Sequence, residues 1–585
     1  MGTGIYDGIR ILIDYEKRRI NKAPTMFSQL LAGLAVGLGF GFVMSIVSNG
    51  FVISVRWLTD LREVRIAYLL GLDQQIAALL PLFCLFFAAF LILQVRRVFG
   101  IDRWHGPADS IYAAHRTDNE LDTRKGFGST LAALISAGGG ASVGQYGPLV
   151  HFGATMGSLV RTWTRGFVTT DVFIGCGVAG AIAAGFNAPI AGVVFAHEAI
   201  LRHFSMRAIA PIAIASISSS WFSQQLFGNN PLLDFTSIVP DLSVVLPAAL
   251  LFGPVFGFVA VVFMIAIRKS LQFAGACDWA PSRLIFLAAL ITGTFGIFVP
   301  EVLGLGSGPL RVILDGGYSD SYLLLILVGK LLLTALCIGF GLFGGVFSPA
   351  LFVGAAAGAF VGRISATVVG IAAGPALAIC GMAAVASAVI GAPIAGVMIV
   401  LEMTMNYQMA LAAMLSVVTA SIISHLLYGH SFFDRQLLDR GIDVAQGRGH
   451  IEMMETPVLD IVSDDFVGIG EAEVQAQALE KLVSANHSEA YLLSDHGVLL
   501  GKLNLQTLLS NEAKQDLFTI ADQAPLSIKH DASLQQAIEV ASDFVGESIP
   551  VVDRATGIMQ GVVNEADLFK LYLKLQSRVT DLERS

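Results

Sequence analysis

Two short phrases whose residues could hold an anion each occur twice in the chain, in the same order and about two hundred residues apart. Gly144-Gln-Tyr-Gly-Pro148 is matched by Gly345-Val-Phe-Ser-Pro349, and Ala188-Pro-Ile-Ala-Gly-Val193 by Ala392-Pro-Ile-Ala-Gly-Val397. In each phrase a loop leads into a proline, which suits the first position of a helix because its missing N–H would have no partner there. The free N–H groups of such a first turn, with the positive end of the helix dipole, attract anions.

The lack of charge in these phrases predicts weak rather than tight anion binding. Neither Gly144–Pro148 nor Gly345–Pro349 contains Lys or Arg, so partial charges would hold the anion. Weak binding favours passage over storage, because a conducted ion must also leave. A duplication over this distance predicts two related half-domains, roughly residues 26–235 and 236–436, with the site between them.

The composition predicts that these phrases lie within a membrane domain. Hydrophobic residues make up 55% of the 585 residues and charged residues 14%, whereas about a quarter of an ordinary soluble chain is charged. Asp, Glu, Lys and Arg are absent from 74–95, 242–267, 331–362 and 364–401. A membrane helix needs about 20 apolar residues, so the last two stretches are expected to be broken helices. Broken backbone is tolerated at membrane depth only inside protein or beside a water-filled cavity, and it therefore predicts a pathway.

The balance of charge changes sign near residue 450. Residues 451–585 contain 22 acidic and 9 basic residues, whereas the rest of the chain contains 23 acidic and 27 basic residues. This change predicts a soluble domain behind a linker at 437–450. The segment 1–25 carries the basic run Lys17-Arg18-Arg19, which the positive-inside rule places in the cytoplasm. No cleavable signal peptide is expected.

The sequence lacks the patterns typical of an enzyme or a metal site. The 5 cysteines are scattered without a CxxC pair, and the 11 histidines have no ligand-like spacing. Gly339-x-Gly341-x-x-Gly344 matches a dinucleotide fingerprint, but it lies inside an uncharged membrane stretch with no βαβ setting. We therefore predict no catalytic residues, no metal and no nucleic-acid partner.

The repeated phrases resemble those of a known family, the CLC chloride channels and chloride/proton antiporters. Residues 144–148 look like the family's Gly-Arg/Lys-Glu-Gly-Pro loop, and residues 345–349 look like its Gly-x-Phe-x-Pro loop. Further matches are Phe-Asn-Ala-Pro at 186–189, Lys330, Gly-Met-Ala-Ala at 381–384 and Leu-Glu-Met-Thr at 401–404. The resemblance implies an all-α polytopic membrane domain of two inverted repeats with broken half-helices. It also implies a homodimer with one anion path in each subunit.

The same resemblance suggests which residues form the path. It implies that the backbone N–H groups of Val346 and Phe347 lie at a central anion site. The residues expected to line the path beside them are Gly106, Gln145 and Gly147. These contacts depend mainly on backbone, so they can persist where side chains differ from the family pattern.

Four side chains depart from the family pattern. The family's gating glutamate falls on Tyr146, and the second glutamate, which antiporters use to take protons from the cytoplasm, falls on Ala199. The serine that contacts the central anion falls on His105, and the pore tyrosine falls on Phe433. Because a tyrosine has an ordinary pKa near 10, it cannot easily replace a carboxylate that cycles its proton. A proton cycle is therefore not expected.

These departures lead to specific roles. We interpret Tyr146 as a neutral gate whose hydroxyl can donate to an anion and whose ring can block the path. His105 could donate to the anion and change its charge near neutral pH, or it could be a buried histidine with a structural hydrogen bond. Phe433 can present only an aromatic edge. Glu198 and Glu402 recur at matching places in both halves, so we interpret them as structural capping or pairing groups.

The tail resembles a pair of CBS modules, at about 451–511 and 518–575. Ser533-Leu-Gln-Gln-Ala-Ile538 is typical of the start of a helix, and Ser548-Ile-Pro-Val-Val-Asp553 is typical of a strand. Nucleotide-binding members of that class usually carry Ser/Thr-x-x-Asp where this chain has Asn564 and Asp567. The tail therefore either binds an adenine nucleotide through these two residues or has a structural, dimerising role.

Taken together, the residues predict passive transport of chloride or a similar small monovalent anion, not coupled to protons. An anion exchanger or bicarbonate carrier that uses His105 or Tyr146 is the alternative within transport. A sensor built on the CBS pair, with the membrane part as an anion-binding anchor, is the alternative in another class. In each case the expected location is the cell membrane, with the N-terminus and the CBS pair in the cytoplasm.

Overall fold

A computed structural model describes most of the chain and divides it into two compact units. The residues described are 26–66, 71, 73–116, 118–161, 170–204, 206–228, 241–368, 374–510 and 516–584. The first unit falls within Met1–Ala114 and Asp118–Gly441, and the second within His115–Thr117 and Ile442–Ser585. The predicted cytoplasmic segment 1–25 and the predicted boundary between repeats at 235/236 lie outside the described residues.

In its described part, the first unit is built from helices. Their bounds are α1 Met26–Asp60, α2 Gln74–Ala77, α3 Leu80–Phe99, α4 Pro107–His115, α5 Thr123–Gly139, α6 Tyr146–Arg161, α7 Thr170–Phe186, α8 Pro189–Phe195, α9 Met206–Phe227, α10 Leu242–Ala276, α11 Pro281–Phe298, α12 Ser307–Leu314, α13 Asp320–Phe340, α14 Phe347–Val368, α15 Gly374–Ile390, α16 Pro393–Thr404, α17 Tyr407–Tyr428 and α18 Phe432–Leu438. Helices α1 and α8 continue as π-helical turns at Leu61–Arg65 and Ala196–Leu201.

Several of these helices have the length and composition of membrane spans. Within the described residues, 7 helices are long and apolar enough to cross a membrane, and four further apolar helices are shorter. The shorter ones are Thr170–Phe186, Pro189–Leu201, Gly374–Ile390 and Pro393–Thr404. The charge-free stretch 364–401 is divided between α14, α15 and α16. This confirms the predicted all-α membrane domain with broken helices.

The two halves repeat the same series of elements around the motifs. Helices α6 to α9 follow the first loop, and helices α14 to α17 follow the second in the same order. Pro189 and Pro393 occupy the start of their helices, as predicted. Pro148 and Pro349 do not, because their helices already begin at Tyr146 and Phe347. A proline is tolerated there because the N–H groups of the first turn have no partner inside the helix.

Glycines let the helices after the loops approach each other at backbone distance. A Cβ added at Gly177 would lie 2.0 Å from the carbonyl oxygen of Gly153, so the backbones of α7 and α6 are in close contact there. In the other half, a Cβ added at Gly354 would lie 2.2 Å from the carbonyl oxygen of Gly381, which joins α14 to α15. No side chain fits in either place. These glycines therefore let α6 pack against α7, and α14 against α15, at backbone distance.

The second unit contains two small sheets with helices. Its elements are α19 Arg448–Glu455, β1 Val467–Gly470, α20 Gln475–Ala485, β2 Glu489–Leu493, β3 Leu499–Asn504, α21 Leu505–Ser510, α22 Leu517–Ile520, β4 Ile528–Lys529, α23 Leu534–Ala541, β5 Ile549–Val552, β6 Met559–Val563 and α24 Glu565–Arg584. The sheets have the orders β1-β2-β3 and β4-β5-β6, each with one parallel and one antiparallel pair. The predicted α/β tail of two modules is thus confirmed.

Local sequence explains how the modules start their helices. Ser533 caps α23, and its hydroxyl accepts the N–H of Gln536 while the Gln536 side chain accepts the N–H of Ser533. This reciprocal pair satisfies two N–H groups that would otherwise lack partners. The segment predicted as a linker, 437–450, is partly helical: it contains a 3₁₀ turn at Val444–Gln446 and the start of α19. The division between the two units lies within it.

Candidate anion site

The two repeated loops pair with each other at the centre of the first unit. The N–H of Gly144 donates to the carbonyl of Gly345 at 2.7 Å, and the N–H of Gly345 donates to the carbonyl of Gly144 at 2.7 Å. A Cβ at Gly144 would lie 2.8 Å from the carbonyl oxygen of Gly345, so only glycine permits this contact. The first turns of α6 and α14 therefore begin side by side.

A third segment meets this pair of loops, just before α4. The ring of Trp104 stacks on Phe343 with 5.3 Å between centroids. A Cβ at Gly147 would lie 3.6 Å from the ring of Pro107, and a Cβ at Gly106 would lie 3.8 Å from the ring of Phe343. The structure thus places the segment 104–107 beside the loops. That His105, Gly106 and Gly147 line an anion path remains a prediction.

Three aromatic rings close the space beside the loops. The ring of Tyr146 stacks on Phe186 with 3.8 Å between centroids and an angle of 19°. The ring of Phe347 meets both of them edge to face, at 5.6 Å from Tyr146 and 5.3 Å from Phe186. Edge-to-face and offset contacts of this kind are favourable beyond simple burial. Each half therefore contributes to one cluster of rings, of which Phe186 was not among the predicted site residues.

The hydroxyl of Tyr146 already has a partner in the structure. It donates to the carbonyl oxygen of Gly185 at 3.2 Å, and the Tyr146 side chain is buried. A Cβ at Gly185 would lie 2.6 Å from the Tyr146 ring, so a glycine is needed there. This refines the expectation that the hydroxyl can donate to an anion, because the hydroxyl must first break its hydrogen bond to Gly185.

The backbone beside these rings offers the donors expected of an anion site. Tyr146 and Phe347 are the first residues of α6 and α14, so their N–H groups have no acceptor inside the helix. In the part of the chain that the structure describes, no acceptor takes the N–H of Val346 or Phe347. Val346 and Phe347 are both buried. Buried N–H groups without partners are costly, so an anion or water is expected to satisfy them.

His105 lies near a second histidine, His151, which was not among the predicted site residues. The N–H of His105 donates to the Ser129 hydroxyl at 3.1 Å, and its ring centroid lies 6.0 Å from that of His151. His151 is completely buried, with Nδ1 2.9 Å from the hydroxyl of Ser110. Within the described residues, Nδ1 of His105 and Nε2 of His151 have no hydrogen-bond partner. The only signal in the sequence was the position of His151, three residues after Pro148.

The remaining predicted pore residues have mixed placements. Gly106 donates its N–H to the Asp109 carboxylate at 2.9 Å, and Gln145 is buried with Oε1 lacking a partner in the described chain. Phe433 is buried in the first turn of α18 and packs against Phe432 at 5.8 Å. Among the described residues, no aromatic contact joins Phe433 to the ring cluster of Tyr146, and its predicted place in the path remains a prediction.

Glu198 and Glu402 cap each other's half of the molecule. The Glu402 carboxylate accepts the N–H groups of Ile190 and Ala191, at 2.9 and 2.7 Å, in the first turn of α8. The Glu198 carboxylate accepts the N–H groups of Ile394 and Ala395 in the first turn of α16, at 3.0 and 2.7 Å.

This reciprocal arrangement agrees with the interpretation of both glutamates as capping groups. A carboxylate at a helix N-terminus is favoured by both the free N–H groups and the helix dipole. It also means that α8 and α16 do not present these first-turn N–H groups to an anion. Ala199, which follows Glu198, lies buried in the π-helical turn with only a methyl group.

The candidate nucleotide residues of the tail are engaged locally. The carbonyl of Asn564 accepts the N–H of Asp567 at 3.1 Å, and the Asp567 carboxylate pairs with Lys570 at 3.1 Å. In the first module, Asn504 accepts the N–H and hydroxyl of Thr507 as the cap of a short helix. Nucleotide binding at Asn564 and Asp567 therefore remains a prediction.

Comparison with known proteins agrees with this geometry. A family described as the voltage gated chloride channel matches residues 87–425. A H(+)/Cl(-) exchange transporter, ClcA, from Vibrio cholerae serotype O1 is 30% identical over 72% of this chain and 91% of its own length.

Two solved structures share the fold. A slow cyanobacterial Cl-/H+ antiporter has a TM-score of 0.63 at 22% identity, with 70% of this chain and 97% of that structure covered. A eukaryotic CLC transporter has a TM-score of 0.60 at 18% identity, and the match covers 92% of this chain and 98% of that structure. The second match extends over both units. From the family match, the related exchanger and the paired loops, the chain belongs to the voltage-gated chloride channel family.

Proposed function

We propose that this protein carries chloride or a similar small monovalent anion passively across the cell membrane, without coupling to protons, and that Tyr146 is its gate. The observation that carries this proposal is the position of the Tyr146 ring. It contacts both Phe186 and Phe347, which also contact each other, next to the paired glycines of the two repeated loops. An anion that reaches the N–H groups of Val346 and Phe347 from this side must pass that ring.

The chemistry of the gate supports uncoupled transport. A phenol stays neutral throughout the physiological pH range, so Tyr146 cannot bind and release a proton in each cycle as a carboxylate does. The second position that a proton cycle would require is Ala199, which cannot be protonated. Glu198 is nearest to it in sequence, but its carboxylate is engaged with Ile394 and Ala395.

This proposal separates the protein from its relatives. Two of the related proteins named above are a proton/chloride exchanger and a chloride/proton antiporter, whereas we expect the same fold to work here without proton movement. Anion movement alone transfers charge, so it stops once a membrane potential develops. Efflux should therefore depend on a shunt that carries a counter-ion.

Liposomes that contain the purified protein test this directly, with chloride and pH electrodes in the same chamber. In a chloride gradient, efflux should begin only when a potassium ionophore is added, and the external pH should stay constant. Uphill proton movement in a fixed ratio to chloride would contradict the proposal. Replacing chloride with bicarbonate in the same chamber examines the alternative of a bicarbonate carrier.

We expect the protein to act as a homodimer with one path in each subunit. Exposed residues at the start of α8 and of α16 support this expectation. Ile190 and Ile394 are 54% and 55% exposed, directly beside the half-buried carboxylates of Glu402 and Glu198. Carboxylates rarely face lipid, and a second copy of the same face would cover them. Subunit counting by photobleaching in liposomes should show two bleaching steps. The proposed orientation places the N-terminus and the tail in the cytoplasm.

A further inference from the structure

A cavity of about 110 Å³ lies directly behind the residues that hold Tyr146. Its walls come from α1, from the end of α7 and from the end of α9. Gly185 and Phe186 form the wall towards Tyr146, since the first accepts the phenol hydrogen bond and the second stacks on the ring. A water molecule needs about 10–15 Å³ on a comparable measure. The cavity can therefore hold an ion with part of its hydration shell.

Among the described residues that line this cavity, Arg56 is the only charged one. Its side chain is exposed, and in the described part of the chain no carboxylate pairs with it. The neighbouring Trp57 is 51% exposed, and tryptophans favour the membrane–water interface. Arg56 therefore stands where an ion arriving from solution would enter.

The polar side chains that line the cavity are uncharged, and hydrogen bonds hold them in place. The amide of Asn49 donates to Ser223, and the side-chain oxygen of Asn187 accepts from Ser220 and Gln224. The carbonyl ends of α7 and α9 also face this region, and the C-terminal end of a helix repels an anion. An anion can be stable here only beside the guanidinium. The site therefore depends on Arg56 alone.

From this arrangement we infer that the cavity is a receiving site for the transported anion, with Arg56 as its charged ligand. A small monovalent anion pairs there with the guanidinium before it passes Phe186 and Tyr146. The site compensates for a central loop that has no cation, since Gln145 and Tyr146 are both neutral. A single positive charge at the mouth raises the local anion concentration without binding so tightly that it stops passage. This inference rests on the proposed function.

Bromide provides a probe that does not depend on transport. Crystals of the full-length protein in bromide should show anomalous density beside Arg56, and Arg56→Gln should lose that density. Arg56→Lys should keep it, because the charge remains. Density at the loops of Gly144 and Gly345 serves as the internal reference, since it reports the central site in the same crystal. Bromide at the reference but none beside Arg56 in the native protein would overturn the inference.

Flux measurements supply the second arm. In liposomes, Arg56→Gln should raise the chloride concentration for half-maximal flux by about tenfold, the loss expected for one hydrogen bond to a charged group, and Arg56→Lys should restore most of it. Lys269→Gln is the matched control, because Lys269 is an exposed cation on α10, which does not line the cavity. Equal half-saturation in both glutamine variants would refute the role of Arg56.

The two arms separate this inference from the proposed function. If the protein moved no anion at all, the proposed function would fail, but bromide density beside Arg56 would still establish the site. If chloride flux were coupled to protons, the proposed function would also fail, but bromide density beside Arg56 would still establish the site. Bromide density that persisted in Arg56→Gln would show that another group binds the ion, and it would reject Arg56 as the ligand.

Discussion

At the scale of single residues, the main finding is that a neutral phenol occupies the junction of the two halves. Tyr146 is held by three kinds of contact: stacking on Phe186, an edge contact with Phe347 and a hydrogen bond to Gly185. These contacts hold the ring in place without any charge. Under the proposed function, the path opens when this ring moves away, rather than when a proton binds.

Two substitutions at this residue test the gate. Tyr146→Ala removes the ring and should raise basal chloride flux above that of the native protein. Tyr146→Phe keeps the stacked ring but loses the bond to Gly185, worth about 1 kcal/mol or about fivefold in an equilibrium. Its flux should therefore lie between the other two. The measurement is chloride efflux from liposomes with a potassium ionophore. Identical flux from all three proteins would show that Tyr146 is not the gate.

At the scale of elements, the short helices α8 and α16 are each capped by a carboxylate from the other half. The first N–H groups of α8 and α16 have no acceptor within their own helix and must find one elsewhere. The partner half supplies them through Glu402 and Glu198. The arrangement is symmetric, and it explains why the glutamates occur at equal distances from their prolines.

This symmetry leads to a prediction about both glutamates. Glu198→Gln and Glu402→Gln each replace two charge-assisted acceptors with one neutral acceptor, and each should lower the free energy of unfolding by about 2 kcal/mol. Because both carboxylates have the same role, the two losses should be similar. Thermal unfolding of the detergent-solubilised protein measures them.

Flux provides the control for a proton role at Glu198. If the glutamates are only caps, chloride flux per folded protein should have the same pH dependence in the native chain and in both variants. A change of the pH profile in Glu198→Gln, but not in Glu402→Gln, would show that Glu198 also exchanges protons. The second variant is the matched control because it removes an equivalent cap from the other half.

At the scale of the whole molecule, the tail is stabilised by polar contacts between its two modules. The carboxylate of Glu547 in the second module accepts the N–H and hydroxyl of Ser488 and lies 3.0 Å from the ring of His487. The hydroxyl of Tyr491 donates to the carbonyl of Ser548 at 2.7 Å. His487 also lies 3.3 Å from Asp465 in its own module. A histidine between two carboxylates makes this contact sensitive to pH.

The direction of that sensitivity follows from the pKa values. Although burial lowers the pKa of His487, its bonds to Glu547 and Asp465 outweigh burial and raise the pKa above the ordinary value. Burial raises the pKa of Glu547, but bonds from Ser488 and His487 outweigh it, so the pKa is lowered. The histidine contribution is thus complete below the ordinary histidine pKa of about 6.5 and is lost as pH rises through the raised value. The glutamate contribution is lost only in acid.

We therefore expect the contact between modules to be stronger at pH 6 than at pH 8. Hydrogen exchange of the full-length protein, corrected for the intrinsic rate, should show greater protection of the segments around Ser488 and Ser548 at pH 6, by about 0.5 kcal/mol for a partly exposed pair. His487→Gln should remove the difference. His496→Gln is the control, since His496 is exposed and has no ion pair in the described chain. A difference that survived His487→Gln would place the pH response elsewhere.

The sequence by itself determined the class of protein, the two membrane halves, the broken helices and the α/β tail. These features depend on composition, on period and on glycine and proline at fixed distances, which act locally and are visible along the chain. The loop residues Tyr146, Val346 and Phe347 were identifiable for the same reason. The substitution at Ala199 was also visible, because it is a matter of residue type.

Only the tertiary structure decided which groups meet. The stacking of Phe186 on Tyr146, the burial of His151 near His105 and the exchange of carboxylates between Glu198 and Glu402 join residues that are distant in sequence. The partner of a hydroxyl or a carboxylate is set by how the helices pack, because a hydrogen bond requires a separation of about 3 Å. Sequence spacing does not specify such a distance between separate helices. For that reason the sequence could propose candidate site residues in the loops, but it could not specify their contacts.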